Sequence, residues 1–224
     1  MSIAESFVPG GQDRRHLVQF YGSDFTELVE NVAAYIAEGV RDGSAALVVA
    51  TPEHTDAILG ALPASSDEAA RAIVCLDAQA TLDRFMVGGQ PDWRLFEQSV
   101  GGIVRTLRRG APGGSLRVYG EMVGLLWQAG ALEAAVCLEK FWNVLLADDE
   151  FSLYCGYPVD VAAGDFRRAG AGELLCTHTH VLCGTANRET AGALDATMQW
   201  LRRHGPDAAG DILSRARSFY RECA

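Results

Sequence analysis

A chain of 224 residues, 49% hydrophobic and 21% charged, is long enough to bury one sizeable core and too apolar to stay disordered. Its formal net charge of -10 opposes long-range attraction to phosphate backbones and anionic lipid, so nucleic-acid and membrane-surface partners are not expected. No window approaches the roughly 20 apolar residues that span a bilayer, and the opening MSIAESFVPGGQDRRH carries no apolar signal stretch; a cytoplasmic protein is expected.

Residues 1–14 read as a loose N-terminus. The segment His16 to Tyr21, HLVQFY, alternates apolar and polar residues and predicts a short strand. Asp24 and Glu27 have the spacing of a capping box, and Leu28, Val32, Ile36 and Val40 then recur at helical intervals until Asp42 and Gly43 stop the helix. The continuous apolar run Ala45 to Ala50 predicts a strand covered on both faces, and Thr51-Pro52 supplies an N-cap followed by proline at the first helical position. Ala72 to Leu76 repeats the strand pattern before Asp77, and 78–86 reads as helix until Gly88-Gly89 breaks it. Between Asp92 and Arg109, Phe96, Val100, Ile103 and Leu107 form one helical stripe. A turn at Gly110 to Gly114 leads to a strand over Leu116 to Tyr119, a helix over 131–147 and a strand over Phe151 to Cys155. A further strand is expected within 174–182, followed by helices over 188–203 and 206–222.

Strands alternating with helices predict a three-layer α/β fold, a mostly parallel sheet flanked by helices on both faces, with the C-terminal helices added to it. In such sheets ligands gather beyond the carboxyl ends of the strands. The residues there, together with polar residues of the first strand, form the expected ligand-binding set: His16, Gln19, Tyr21, Glu53, Asp77, Tyr119, Glu121 and Tyr157. Strand-end acids equally serve as helix caps.

Other chemistries find less in the sequence. A phosphate-binding loop needs glycines that let backbone N–H groups wrap the phosphates and a Lys to hold them. The loop after the first strand, Gly22-Ser-Asp-Phe-Thr26, has neither a second Gly nor a Lys, and Lys140, the sole Lys, lies in an apolar helical stretch. No G-x-S-x-G elbow occurs, so a non-catalytic role is expected. Cys75, Cys137, Cys155, Cys176, Cys183 and Cys223 form no CxxC pair, and most sit in apolar runs where a reduced Cys packs as a small hydrophobe, so structural disulfides are not expected. The densest run of metal-ligand types is Cys176, His178, His180 and Cys183, whose first three members would share one face of a strand; its spacing matches no familiar zinc pattern. Asp148-Asp149-Glu150 reads as a solvated turn, and Trp127, Phe141 and Trp142 as core.

The order of His16-Leu-Val-Gln-Phe-Tyr21, Ala37-Glu-Gly-Val-Arg-Asp-Gly43, Leu76-Asp-Ala78 with Phe85-Met86, Tyr119-Gly-Glu-Met-Val-Gly-Leu-Leu-Trp127 and Phe151-Ser-Leu-Tyr-Cys-Gly-Tyr-Pro158 resembles the MEDS family. This is the methanogen and methylotroph sensory domain found in dichloromethane-responsive regulators and beside bacterial signalling kinases. The resemblance implies a degenerate RecA/KaiC-like fold without a Walker A loop, a sensory domain over 15–184 and a helical extension over 185–224. It makes Glu53 similar to the acid after the second strand of KaiC-like ATPases, and places Glu121 near the end of their magnesium-binding strand. His178 and His180 resemble a histidine-containing segment near the end of the domain.

The expected function is therefore a sensor that binds an unidentified small molecule at the strand ends and signals through a protein partner. The alternatives are a nucleotide-binding protein without efficient hydrolysis, a Cys/His metal or redox sensor, and a structural adaptor. No cofactor is named by the sequence, and a homo-oligomer stays open.

Overall fold

The computed structural model describes residues 16–63, 71–149, 151–158, 177–178 and 180–182. The expected C-terminal helices lie outside these residues, as do Cys176, Cys183, Cys223 and Glu150. In chain order the elements are β1 (His16–Tyr21), α1 (Thr26–Arg41), β2 (Ala45–Ala50), α2 (Pro52–Ala61), β3 (Ile73–Asp77) and α3 (Ala78–Leu82). A small hairpin follows, β4 (Met86–Val87) and β5 (Gln90–Pro91), then α4 (Trp93–Phe96), which continues through a π-helical turn at Glu97–Gly101 into α5 (Gly102–Gly110). The chain goes on through β6 (Leu116–Gly120), α6 (Met122–Gln128), α7 (Leu132–Asp148), β7 (Ser152–Pro158) and β8 (His180–Leu182).

Six strands form one sheet in the order β3-β2-β6-β7-β1-β8, and every pairing in it is parallel. Parallel neighbours need crossovers, and the helices that make them cover both faces. The period-two alternation along each strand sorts the core into two layers. Val18, Phe20, Leu47, Val49, Val118, Leu153, Cys155 and Tyr157 face Phe85, Phe96, Val100, Leu126, Trp127, Leu138, Phe141 and Trp142. On the other face Leu17, Ala46, Val48, Tyr119 and Tyr154 meet Leu28, Val32, Tyr35, Ile36 and Ile58. The aromatic group Trp127, Phe141 and Trp142 is thus core, as read from sequence.

Local chemistry explains the boundaries. Thr51 caps α2 by accepting from His54 N at 3.4 Å, ahead of Pro52 in the first turn. Asp77 accepts from Ala80 N at 2.6 Å and Asp92 from Leu95 N at 2.9 Å. The expected capping box at Asp24 does not form: Asp24 Oδ1 accepts from Thr26 N, two residues on, and Phe25 occupies the N-cap position. The helix expected over 78–86 stops at Leu82, and the Gly88-Gly89 turn, with both residues at positive φ, folds the rest into the β4–β5 hairpin. Asp149 is also corrected: it is 5% exposed and faces Arg108 at 3.2 Å and Arg105 at 3.6 Å, a buried anchor for the end of α7.

Helix α6 lies so close to β7 that a Cβ on Gly124 would stand 2.6 Å from the carbonyl oxygen of Gly156 and 2.9 Å from Pro158 Cδ. Only glycine lets the helix backbone approach this near. This contact brings Glu121, which precedes α6, over the carboxyl ends of β2 and β6.

Candidate functional site

The sequence-derived ligand set divides into three places. The first is the carboxyl end of the sheet. Glu121 leaves β6, its backbone N–H donates to Val49 O at 2.9 Å, and the residue is only 2% exposed. Three groups hold the carboxylate: Thr51 N donates to Oε2 at 2.9 Å, the Tyr119 hydroxyl donates to Oε1 at 2.7 Å, and His54 Nδ1 lies 2.5 Å from Oε1. The rings of Phe25 and Tyr21 close over His54, at centroid distances of 4.3 Å and 5.6 Å. Tyr21 and Phe25 are half-buried, so this cluster borders solvent on their side.

Its electrostatics follow from one buried carboxylate. The hydrogen bond to Glu121 raises the His54 pKa above its ordinary value although burial opposes it. Burial, reinforced by the Glu121 charge, holds the Tyr119 and Tyr21 phenols well above the usual range. Both phenols therefore stay protonated, and that of Tyr119 donates to Glu121. Glu53 and Asp77, expected in the same crevice, are exposed; Asp77 is spent capping α3.

The second place lies between the sheet and α7, away from the carboxyl ends. His16 is the first residue of β1, and strand alternation turns it onto the face covered by α7. Its Nε2 lies 3.1 Å from Glu139 Oε2 and 3.4 Å from Cys155 Sγ. His178 Nε2 lies 3.3 Å from Glu139 Oε1, which also accepts a hydrogen bond from the Tyr157 hydroxyl. The other ring nitrogens are tied outside the cluster. His16 Nδ1 meets Asn143 Oδ1 at 3.0 Å and Thr177 O at 3.1 Å, and His178 Nδ1 meets Thr177 Oγ1 at 3.1 Å. Burial alone would push the Glu139 carboxyl up, but the two imidazoles reverse this and hold it well below the usual carboxylate range. Burial, and then the Glu139 charge, pushes the Cys155 thiol and the Tyr157 phenol up.

The third place is the α1 face of the sheet. There Gln19 Oε1 accepts from Asn31 Nδ2 at 3.2 Å and from the Tyr154 hydroxyl, beneath α1 and facing away from His16 and Tyr157. Of the Cys/His run, His178 precedes β8 and joins His16 and Glu139, so the shared strand face expected for Cys176, His178 and His180 does not describe it. His180 opens β8 opposite Leu17, and Cys176 and Cys183 lie outside the described residues.

His54, Glu139, Cys155 and Asn143 stand in these clusters but outside the sequence-derived set. His54 sits one turn into α2, beyond the strand end itself. Glu139 carries a readable signal: it interrupts the stripe Ala135, Leu138, Trp142 and Leu145 with a carboxylate on the core side of an amphipathic helix. Cys155 reads as a small hydrophobe, and Asn143 as an ordinary helix residue; their partners stand 139 and 127 residues away in sequence.

No curated protein matches the chain. Residues 15–179 match the family described as the methanogen/methylotroph, DcmR sensory domain, a span that takes in β1 through β7. With most of its length so matched, and with a parallel sheet flanked by helices beneath that match, the chain belongs to the MEDS family of sensory domains.

Proposed function

We propose that this sensory domain binds a small polar organic molecule at the carboxyl ends of β1, β2 and β6 and passes the change on through protein contacts. The observation that carries the reading is the Glu121 cluster. One buried carboxylate there gathers the backbone amide of Thr51 at the end of β2, the His54 ring in the first turn of α2 and the Tyr119 hydroxyl of β6, beneath two half-buried aromatic rings. Parallel sheets offer their ligand crevices at such ends. A donor group on a ligand, an alcohol O–H or an amine N–H, competes for the lone pairs that His54 and Tyr119 now use. His54 and α2 then have a second arrangement for the ligand to favour. The role is binding and not catalysis, because Tyr21 and Tyr119 stay protonated and no activated nucleophile adjoins Glu121 among the described residues. Output through residues 185–224 and a cytoplasmic setting belong to the same proposal. No helix among the described residues is long and apolar enough to cross a membrane.

A thermal-shift screen of short alcohols, amides and alkylamines against the full chain tests this. A ligand that binds only the native state at a hundred times its Kd raises stability by about 2.7 kcal/mol. At least one class is expected to raise Tm in the wild type and to lose most of that rise in Phe25→Ala, which opens the roof without touching the buried carboxylate. Equal shifts in wild type and variant, or none from any class, would refute the site. Saturable ATP or ADP binding would instead favour a nucleotide-binding scaffold.

A further inference from the structure

The second cluster has a different chemistry. His16, Glu139, Cys155 and His178 each offer one ligand atom, and these four atoms all lie within 4.8 Å of one another. They come from four separate parts of the chain: the start of β1, the middle of α7, the middle of β7 and the segment just before β8. Tetrahedral zinc, with bonds of about 2.0–2.3 Å, sets its ligands roughly 3.3–3.8 Å apart. His16 Nε2 stands 3.4 Å from Cys155 Sγ and 3.1 Å from Glu139 Oε2, and His178 Nε2 stands 3.3 Å from Glu139 Oε1, at or just below that scale.

The groups behind these atoms point the same way. A carbonyl oxygen can only accept, so the 3.1 Å contact from His16 Nδ1 to Thr177 O puts the proton on Nδ1. In a neutral ring that leaves a lone pair on Nε2, facing a carboxylate oxygen at 3.1 Å and a sulfur at 3.4 Å. Electron-rich atoms gather this way around a positive centre. Metal-bound histidines are oriented by a bond from the other ring nitrogen, the part that Asn143 and the two polar atoms of Thr177 play here. Tyr157 likewise fixes the Glu139 carboxylate by donating to Oε1.

We propose that His16, Glu139, Cys155 and His178 form a binding site for one divalent cation of the zinc class. Two imidazoles, a thiolate and a carboxylate suit zinc in softness and number. One carboxylate and one thiolate neutralise a divalent charge, so the filled site is neutral in a fully buried position. Binding releases the Cys155 thiol proton to solvent. The cation ties the 177–178 segment to β1, β7 and α7, and so fixes where the chain enters β8. This site and the Glu121 cluster share no residue, and each stands or falls without the other.

The test is titration of the metal-free full chain with Co(II) and Zn(II), followed by X-ray absorption of the loaded wild-type protein. The expected result is one cation per chain, tetrahedral Co(II) bands with a thiolate charge-transfer band, and a shell of one sulfur and three nitrogen or oxygen atoms. Cys155→Ser removes the charge-transfer band, and Asn143→Ala weakens binding by about ten- to a hundredfold while leaving the shell intact. No binding, octahedral Co(II), or a shell with two or more sulfurs overturns the assignment, and the shell measurement needs no variant to fold.

Discussion

The His54–Glu121 pair makes a sharp statement about pH. The hydrogen bond to Glu121 raises the His54 pKa from its ordinary 6.5 in the folded chain, against the opposing effect of burial. The folded chain then holds this proton more tightly than the unfolded chain. The pair's contribution is fully present below about pH 6.5 and is lost as pH rises through the raised value. Urea unfolding of the wild type, followed from pH 6 upward, should show this decline, and His54→Gln should flatten it; an unchanged slope in the variant would mean that another group sets the dependence. Glu121→Gln removes a charged acceptor from three donors and is expected to cost about 1.5–3 kcal/mol by the same measurement.

Two contacts between elements carry further expectations. At the α6–β7 crossing, Gly124→Ala would bring a methyl group to within 2.6 Å of Gly156 O, so one of the two backbones must shift. Overpacking of this kind costs about 1–3 kcal/mol, and calorimetry should show a lowered Tm, with the wild-type value excluding the contact. At the end of α7, Asp149→Ala leaves the half-buried Arg105 and Arg108 without their shared acceptor. Breaking a fully buried pair costs about 3–5 kcal/mol. These arginine side chains keep 26–29% exposure, so a smaller loss in denaturant midpoint is expected than that range. Helix α6 itself was invisible to periodicity. Met122 to Trp127 is nearly all apolar and contains Gly124, so no polar face marks it; it is helical because β7 and α7 cover it on both sides.

Across the molecule, what could be read from the chain was what repeats locally. Apolar runs and alternation marked β1, β2, β3, β6 and β7, and the rule for parallel sheets brought Tyr21, Tyr119 and Glu121 to one end. The metal-type cluster could not be assembled that way. His16, Glu139 and Cys155 become neighbours only when β7 inserts between β1 and β6, and His178 only when the chain returns to pair beside β1. The most accessible clue was the carboxylate in the apolar stripe of α7, because a buried Glu demands partners. Of the run of Cys and His near residue 180, His178 stands among the described residues beside His16, Glu139 and Cys155, which lie far from it in sequence.

The central claim is that small molecules are sensed at the Glu121 end of the sheet. It is tested most directly by recording the histidine ring signals of the nitrogen-15-labelled full chain while the alcohols, amides and alkylamines are added. Saturable movement of the His54 signals, with those of His16 and His178 unmoved, is the predicted result. A bound compound that moves His16 or His178 and leaves His54 unchanged would place the input site in the buried cluster and contradict the account.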